Sequence, residues 1–142
     1  MEAMHINMVA VFVAVVANFV LGFIWYTPLF GKVWAKENGF DTSRKPTGGE
    51  MAKGMIANVI GNFFLAYVFA NNIMAWSFVP GANEMPMLGS LISAIVFTWL
   101  GFYLPVDLNT VVWEGKSWKL FFINTGYHFT MLVVAAVILM NM

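Results

Sequence analysis

The chain has 142 residues, of which 61% are hydrophobic and only 10% charged, and its formal net charge is zero. A soluble domain of this size covers itself with about a quarter charged residues, so this composition excludes water as the main solvent, and the mean hydropathy of +0.77 points to lipid instead. The balanced charge offers no field for nucleic acid, and the absence of cysteine removes disulfides, thiolate metal sites and thiol chemistry together.

An uncharged run opens at Ala3 and lasts to Gly31, long enough to cross a bilayer at 1.5 Å per residue. It predicts a first helix over Ile6–Tyr26. Its flank Met1–His5 holds Glu2 and no Lys or Arg, and the run exceeds the apolar stretch of a cleaved signal peptide, so the helix is expected to stay as a span. Ala10, Ala14, Asn18 and Gly22 recur at every fourth position and lead to Tyr26. Such a row lets backbones approach and sets one amide in the contact.

A long connection, 27–53, follows. PLFGKVWAKENG reads as a short interfacial helix with Phe30, Val33 and Trp34 toward lipid and Lys32 and Lys36 toward headgroups. GFDTSRKPTGG reads as a turn region. The second span is expected near Gly54–Trp76, with Gly54, Asn58, Asn62, Ala66 and Ala70 in a second small-residue row. A tight turn, VPGANEMP, leads to a third helix near Met87–Leu104, which carries Ser90, Ser93 and Thr98. The segment PVDLNTVVWEGKSW then reads as a polar, aromatic surface loop in which Asp107, Glu114 and Lys116 are solvated. The last helix is expected over 120–140 and holds Asn124 and His128.

The fold class is therefore an all-α membrane protein, one domain over 1–142. All seven Lys and Arg fall in the first and third connections or at their edges, which by the positive-inside rule makes that side cytoplasmic. The expected location is a bacterial inner membrane, multi-pass, with both termini outside. The order of residues also predicts a 2+2 parallel internal repeat of two-helix units. Lys53, Asn58, Asn62 and Phe63 match Lys119, Asn124, His128 and Phe129 at one constant spacing, and Leu21-Gly22-Phe23 matches Leu100-Gly101-Phe102. Units in the same orientation imply an axis along the membrane normal.

Asn18, Asn62, Thr98 and His128 are each expected about 10–14 Å inside the membrane, with Asn58 and Asn124 in a second layer and Trp25 and Tyr26 closing the inner boundary. This polar layer has two readings: hydrogen bonds that hold helices together, each contributing about 0.6–2 kcal/mol, or a site for a ligand. His128 is the titratable member, and ionisable groups inside a membrane mark function by default. The expected spans hold no Asp, Glu, Lys or Arg, so the intramembrane carboxylate of a proton-coupled exporter is not expected. Metal and cofactor sites are not expected either: His5 and His128 lie at different depths and neither has a partner at helical spacing. No catalytic set is evident.

Two stretches carry a family resemblance. GFIWYTPLFGKVWAKENG places Gly22, Trp25, Tyr26, Pro28, Leu29, Gly31 and Trp34 in a pattern that resembles the bacterial membrane-protein family called domain of unknown function 1761, and WLGFYLP with EGKSWKLFFINTGYH resembles its second half. The resemblance covers nearly the whole chain. It implies a four-span bacterial membrane protein and brings no activity with it. The functional expectation is a protein that contacts membrane lipid, self-associates, and binds or passes a small neutral or lipid-like molecule. The alternative is an accessory subunit whose polar stripes only pack helices and partners. An enzyme is the most remote of the three.

Overall fold

The computed structural model describes residues 5–142; Met1–Met4, four of the five residues of the flank weighed for a signal peptide, lie outside it. Asn7 starts the first helix, α1 (Met8–Ile24), by accepting at Oδ1 from the N–H groups of Val9 and Ala10 at 3.0 and 3.2 Å. Capping of this kind satisfies donors that have no intrahelical partner. Pro28 then denies the helix a backbone donor, and α1 widens into a π turn, Trp25–Leu29, closed by Phe30 N donating to Trp25 O at 2.9 Å. The chain passes so close to itself here that a Cβ on Gly31 would stand 2.6 Å from Tyr26 O. Helix α2 (Gly31–Asn38) ends on Gly39 in the left-handed region, φ 73°, where glycine is free of the Cβ penalty.

Ser43 donates from Oγ and N to Asp41 Oδ1 (2.6 and 2.9 Å), which holds that exposed carboxyl below its usual range. A capping box between Thr47 and Glu50 begins α3 (Gly48–Ser77), six residues before the expected Gly54. At 30 residues this helix is about 45 Å long, more than the ~30 Å of a hydrocarbon core, so it has room for Glu50 and Lys53 beyond the lipid. A 3-10 turn (Ala82–Glu84) leads to α4 (Met87–Thr98), a second π turn (Trp99–Tyr103) and α5 (Leu104–Val112). Ser117 caps α6 (Trp118–Asn141).

Among the described residues four stretches are long and apolar enough to cross a membrane: Met8–Leu29, Gly48–Ser77, Met87–Val112 and Trp118–Asn141. The third departs from expectation. It does not end at Leu104 but runs on as helix to Val112, and Pro105 sits in the first turn of α5, where a missing N–H costs nothing.

Helix α6 is the centre of the bundle and packs against α1, α2, α4 and α5, with a smaller contact to α3; α1 lies between α3 and α6. Alanines make this possible. Ala14, Ala66, Ala135 and Ala136 are completely buried, and their small side chains let the helix axes close on one another around Val11, Phe69 and Leu132. Helices α3 and α4 are not a packed pair, so the order across the bundle is α3–α1–α6–α4, with a gap between its two ends. Large apolar side chains such as Phe12, Val16, Phe64, Leu88, Phe97 and Phe122 face outward on every span, a surface that lipid covers and water does not.

Expected lipid contact fails for two residues. Phe30 is half-buried, its ring 4.9 Å from that of Trp25. Trp34 of α2 is half-buried, 5.4 Å edge-on from Tyr26 and 5.3 Å from Phe40. The reason is that α2 folds back on α6 rather than lying free on the surface.

Candidate functional site

The richest polar chemistry lies at the end of the bundle where the connections carry Lys and Arg, called here the basic end. Trp25 opens the first π turn and its Nε1 donates to Ile123 O of α6 at 3.0 Å; Trp99 opens the second and donates to Thr125 O and Oγ1, both at 3.1 Å. The two indoles fasten both π turns to neighbouring carbonyls of the central helix. Tyr26 donates from its hydroxyl to Asn124 Oδ1 at 3.1 Å. Tyr127 lies edge-on to Tyr26 at 5.0 Å and against Gly22, where a Cβ would stand 3.0 Å from the Tyr127 hydroxyl.

Behind these rings His128 Nδ1 meets Asp107 Oδ2 at 2.7 Å. The ring of Tyr103 is 4.8 Å from that of His128, and Tyr127 is 5.7 Å away. The Asp107 side chain is 7% exposed and that of His128 26%. This corrects the sequence reading twice. Asp107 is not a solvated loop residue, and the third span does contain a carboxylate. The physical cause is the continuation of the helix past Pro105, which turns Asp107 inward toward α6. The apolar residues around it, Val106, Leu108, Val111 and Val112, were the signal in the sequence: one acid in an apolar helical stretch needs a partner.

The other polar candidates fall into two further places. Asn18 is fully buried on α1, and its Oδ1 and Nδ2 meet no hydrogen-bond partner among the described residues. Asn62, 5% exposed on α3, donates from Nδ2 to Asn58 Oδ1 at 2.8 Å and to Asn58 O at 3.0 Å, while Asn58 itself is exposed. Thr98 lies in the gap between α3 and α4. The structure thus joins Asn124 and His128 with Trp25 and Tyr26, leaves Asn18, Asn58 and Asn62 on the two helices of the α1–α3 pair, and sets Thr98 apart from both.

That gap is a groove of about 730 Å³, walled by Asn72, Ile73 and Trp76 of α3, by Ser90, Ser93, Ala94, Phe97 and Thr98 of α4, and closed by Met85, Met87 and Met140. The polar side chains among its lining residues are hydroxyls, the Asn72 amide and the Trp76 indole; none of the lining residues is Asp, Glu, Lys or Arg. Among the described residues no group of three His, Asp or Glu could hold a metal ion.

Four apolar helices, an outward apolar surface and a polar interior at one end define a helical membrane protein. The family model of DUF1761, a protein family of unknown function, matches residues 9–140, and the chain belongs to that family. No curated protein and no solved structure matches it.

Proposed function

We propose that the protein sits in a bacterial cytoplasmic membrane with its basic end inside and both termini outside, and that it takes a neutral, lipid-like molecule sideways from the bilayer into the groove between α3 and α4. The observation that carries this reading is the groove itself. It exists because α3 and α4 do not pack, and its 730 Å³ falls within the ~300–1,000 Å³ of small-molecule sites. An anionic headgroup would find no cation on its walls. An apolar chain bearing a hydroxyl, ester or ketone would find Ser90, Ser93 and Thr98 on one wall, where a hydroxyl donor is strong because water is scarce. The orientation is supported by the location of all seven basic residues at one end.

Purification into lipid nanodiscs, followed by mass spectrometry of what is released on denaturation, tests the groove. A neutral lipid-like molecule should accompany the wild type and the lipid-facing control Val16→Trp, and should be lost from Ser93→Trp, whose indole fills the cavity. Equal retention in Ser93→Trp, or none in the wild type, would overturn the reading.

Two further elements belong to the same proposal. The chain derives from a doubled two-helix unit, a reading supported by the π turn that ends each first helix. The protein also self-associates through the start of α3, where Met51–Gly61 is exposed on every face and presents Gly54 and Asn58. A packing role alone is the second reading, favoured by that same surface; it predicts dimers disrupted by Gly54→Leu and no retained molecule.

A further inference from the structure

The Asp107–His128 pair has no part in the groove and stands independently of it. A buried ion pair is weak support for a fold, because desolvation offsets its attraction, and α6 is already held to its neighbours by both indoles and the alanine contacts. Its chemistry is more informative. Among the described residues Asp107 and His128 form ion-pair contact only with each other; the other ion pair is Arg44–Glu50, at the surface. The titratable groups around the pair are tyrosines: Tyr103 from the second π turn and Tyr127 from α6 stand against the His128 ring, and Tyr26 from the first π turn lies behind Tyr127. Helix α2, which also packs on α6, carries Lys32, Lys36 and Glu37, and α3 carries Glu50 and Lys53; none is in ion-pair contact with the pair.

We propose that Asp107 and His128 together form a proton-binding site inside the membrane-spanning bundle. With Nδ1–H donating to the carboxylate, Asp107 fixes the tautomer and leaves Nε2 free. The pair then carries one negative charge. A proton arriving at Nε2 bonds there, nothing leaves, and the pair becomes a neutral imidazolium–carboxylate. The loaded form suits a closed, water-poor bundle; the unloaded form holds an uncompensated charge and favours any arrangement that admits water. Proton uptake is therefore linked to how tightly α5 closes on α6. Access is through His128, a quarter exposed, and not through Asp107.

The test uses the full chain in nanodiscs with His5→Gln, so that His128 is the one histidine, and ¹⁵N NMR of its ring. The ring should gain a proton at Nε2 on acidification, and the gain should be suppressed in Asp107→Asn, which removes the countercharge. Proton uptake on the same acidification, read with a pH dye, should fall by one proton per chain in His128→Gln. A ring that keeps one protonation state throughout, or that titrates identically in Asp107→Asn, would overturn the proposal. The ring spectrum of the His5→Gln chain stands even where Asp107→Asn or His128→Gln fails to fold, because a ring of constant protonation state there already overturns the proposal. Lipid retention in Asp107→Asn should be unchanged, so failure here leaves the groove reading untouched.

Discussion

Replacing Gly22 with alanine puts a single methyl group into a close contact between α1 and α6. The new Cβ would stand 3.0 Å from the Tyr127 hydroxyl, while its next neighbours, the ring carbons Cζ and Cε2, are at 3.6 and 3.7 Å, ordinary van der Waals distances. The hydroxyl alone is in the way. It cannot retreat freely, because the ring is held between Tyr26 at 5.0 Å, His128 at 5.7 Å and Trp25 at 6.1 Å. Overpacking of this kind costs about 1–3 kcal/mol. Alanine recovers about 0.5–1 kcal/mol of helix propensity over glycine, so the net loss should fall between about 0 and about 2.5 kcal/mol. Tyr127→Phe removes the clashing oxygen, so the double variant should be more stable than Gly22→Ala alone. The assay is a double-mutant cycle of unfolding free energies, measured by steric trapping in bicelles. If the two substitutions are additive, the hydroxyl is not the obstacle and the placement of Tyr127 against α1 is wrong.

Trp99→Phe keeps the ring and deletes the donor to Thr125; unfolding should cost about 0.6–2 kcal/mol less free energy, measured in the same assay, and Phe122→Ala on the lipid-facing side of α6 should change little by comparison. Because the natural chain has no cysteine, orientation can be read by labelling single cysteines in intact cells. Ser43→Cys should resist an impermeant maleimide until the membrane is opened, and Glu84→Cys should react at once; the reverse pattern would invert the proposed orientation.

The spans were legible because membrane crossing is a composition problem, and uncharged runs around α1, α3, α4 and α6 solve it visibly. Small-residue rows also carried real information: Ala14, Asn18, Asn62 and Ala66 are all buried, as the four-residue spacing requires. The same rows misled at their ends, since Gly54 and Asn58 continue the pattern yet are exposed. Spacing tells which residues share a face, not how far along a helix its neighbour reaches. The groove was illegible for the same reason: it is made by α3 and α4 failing to meet, and a missing contact leaves no mark in either sequence. Asp107 was misplaced because Pro105 reads as an exit from the helix, although proline is equally at home in a first turn.

The misplacement has a second cause in the π turns. A bond that spans five residues instead of four admits one extra residue, and one residue is about 100° of rotation on an α-helix. The face that α4 presents to α6 therefore does not continue in phase into α5. Extending the α4 periodicity past Tyr103 would turn Asp107 away from His128 and toward lipid, where an unpaired carboxylate is costly. With the π turn in place, Asp107 is 5% exposed and bonded to α6. The local irregularity and the buried acid are thus one arrangement. Trp99 Nε1, donating to Thr125 at the first residue of the turn, pins the phase shift that brings the two halves of the proton site together. π bulges tend to occur at functional positions; here the reason is geometric, because the bulge is what lets a single helix bury Ile95 above and present a carboxylate below to the same neighbour.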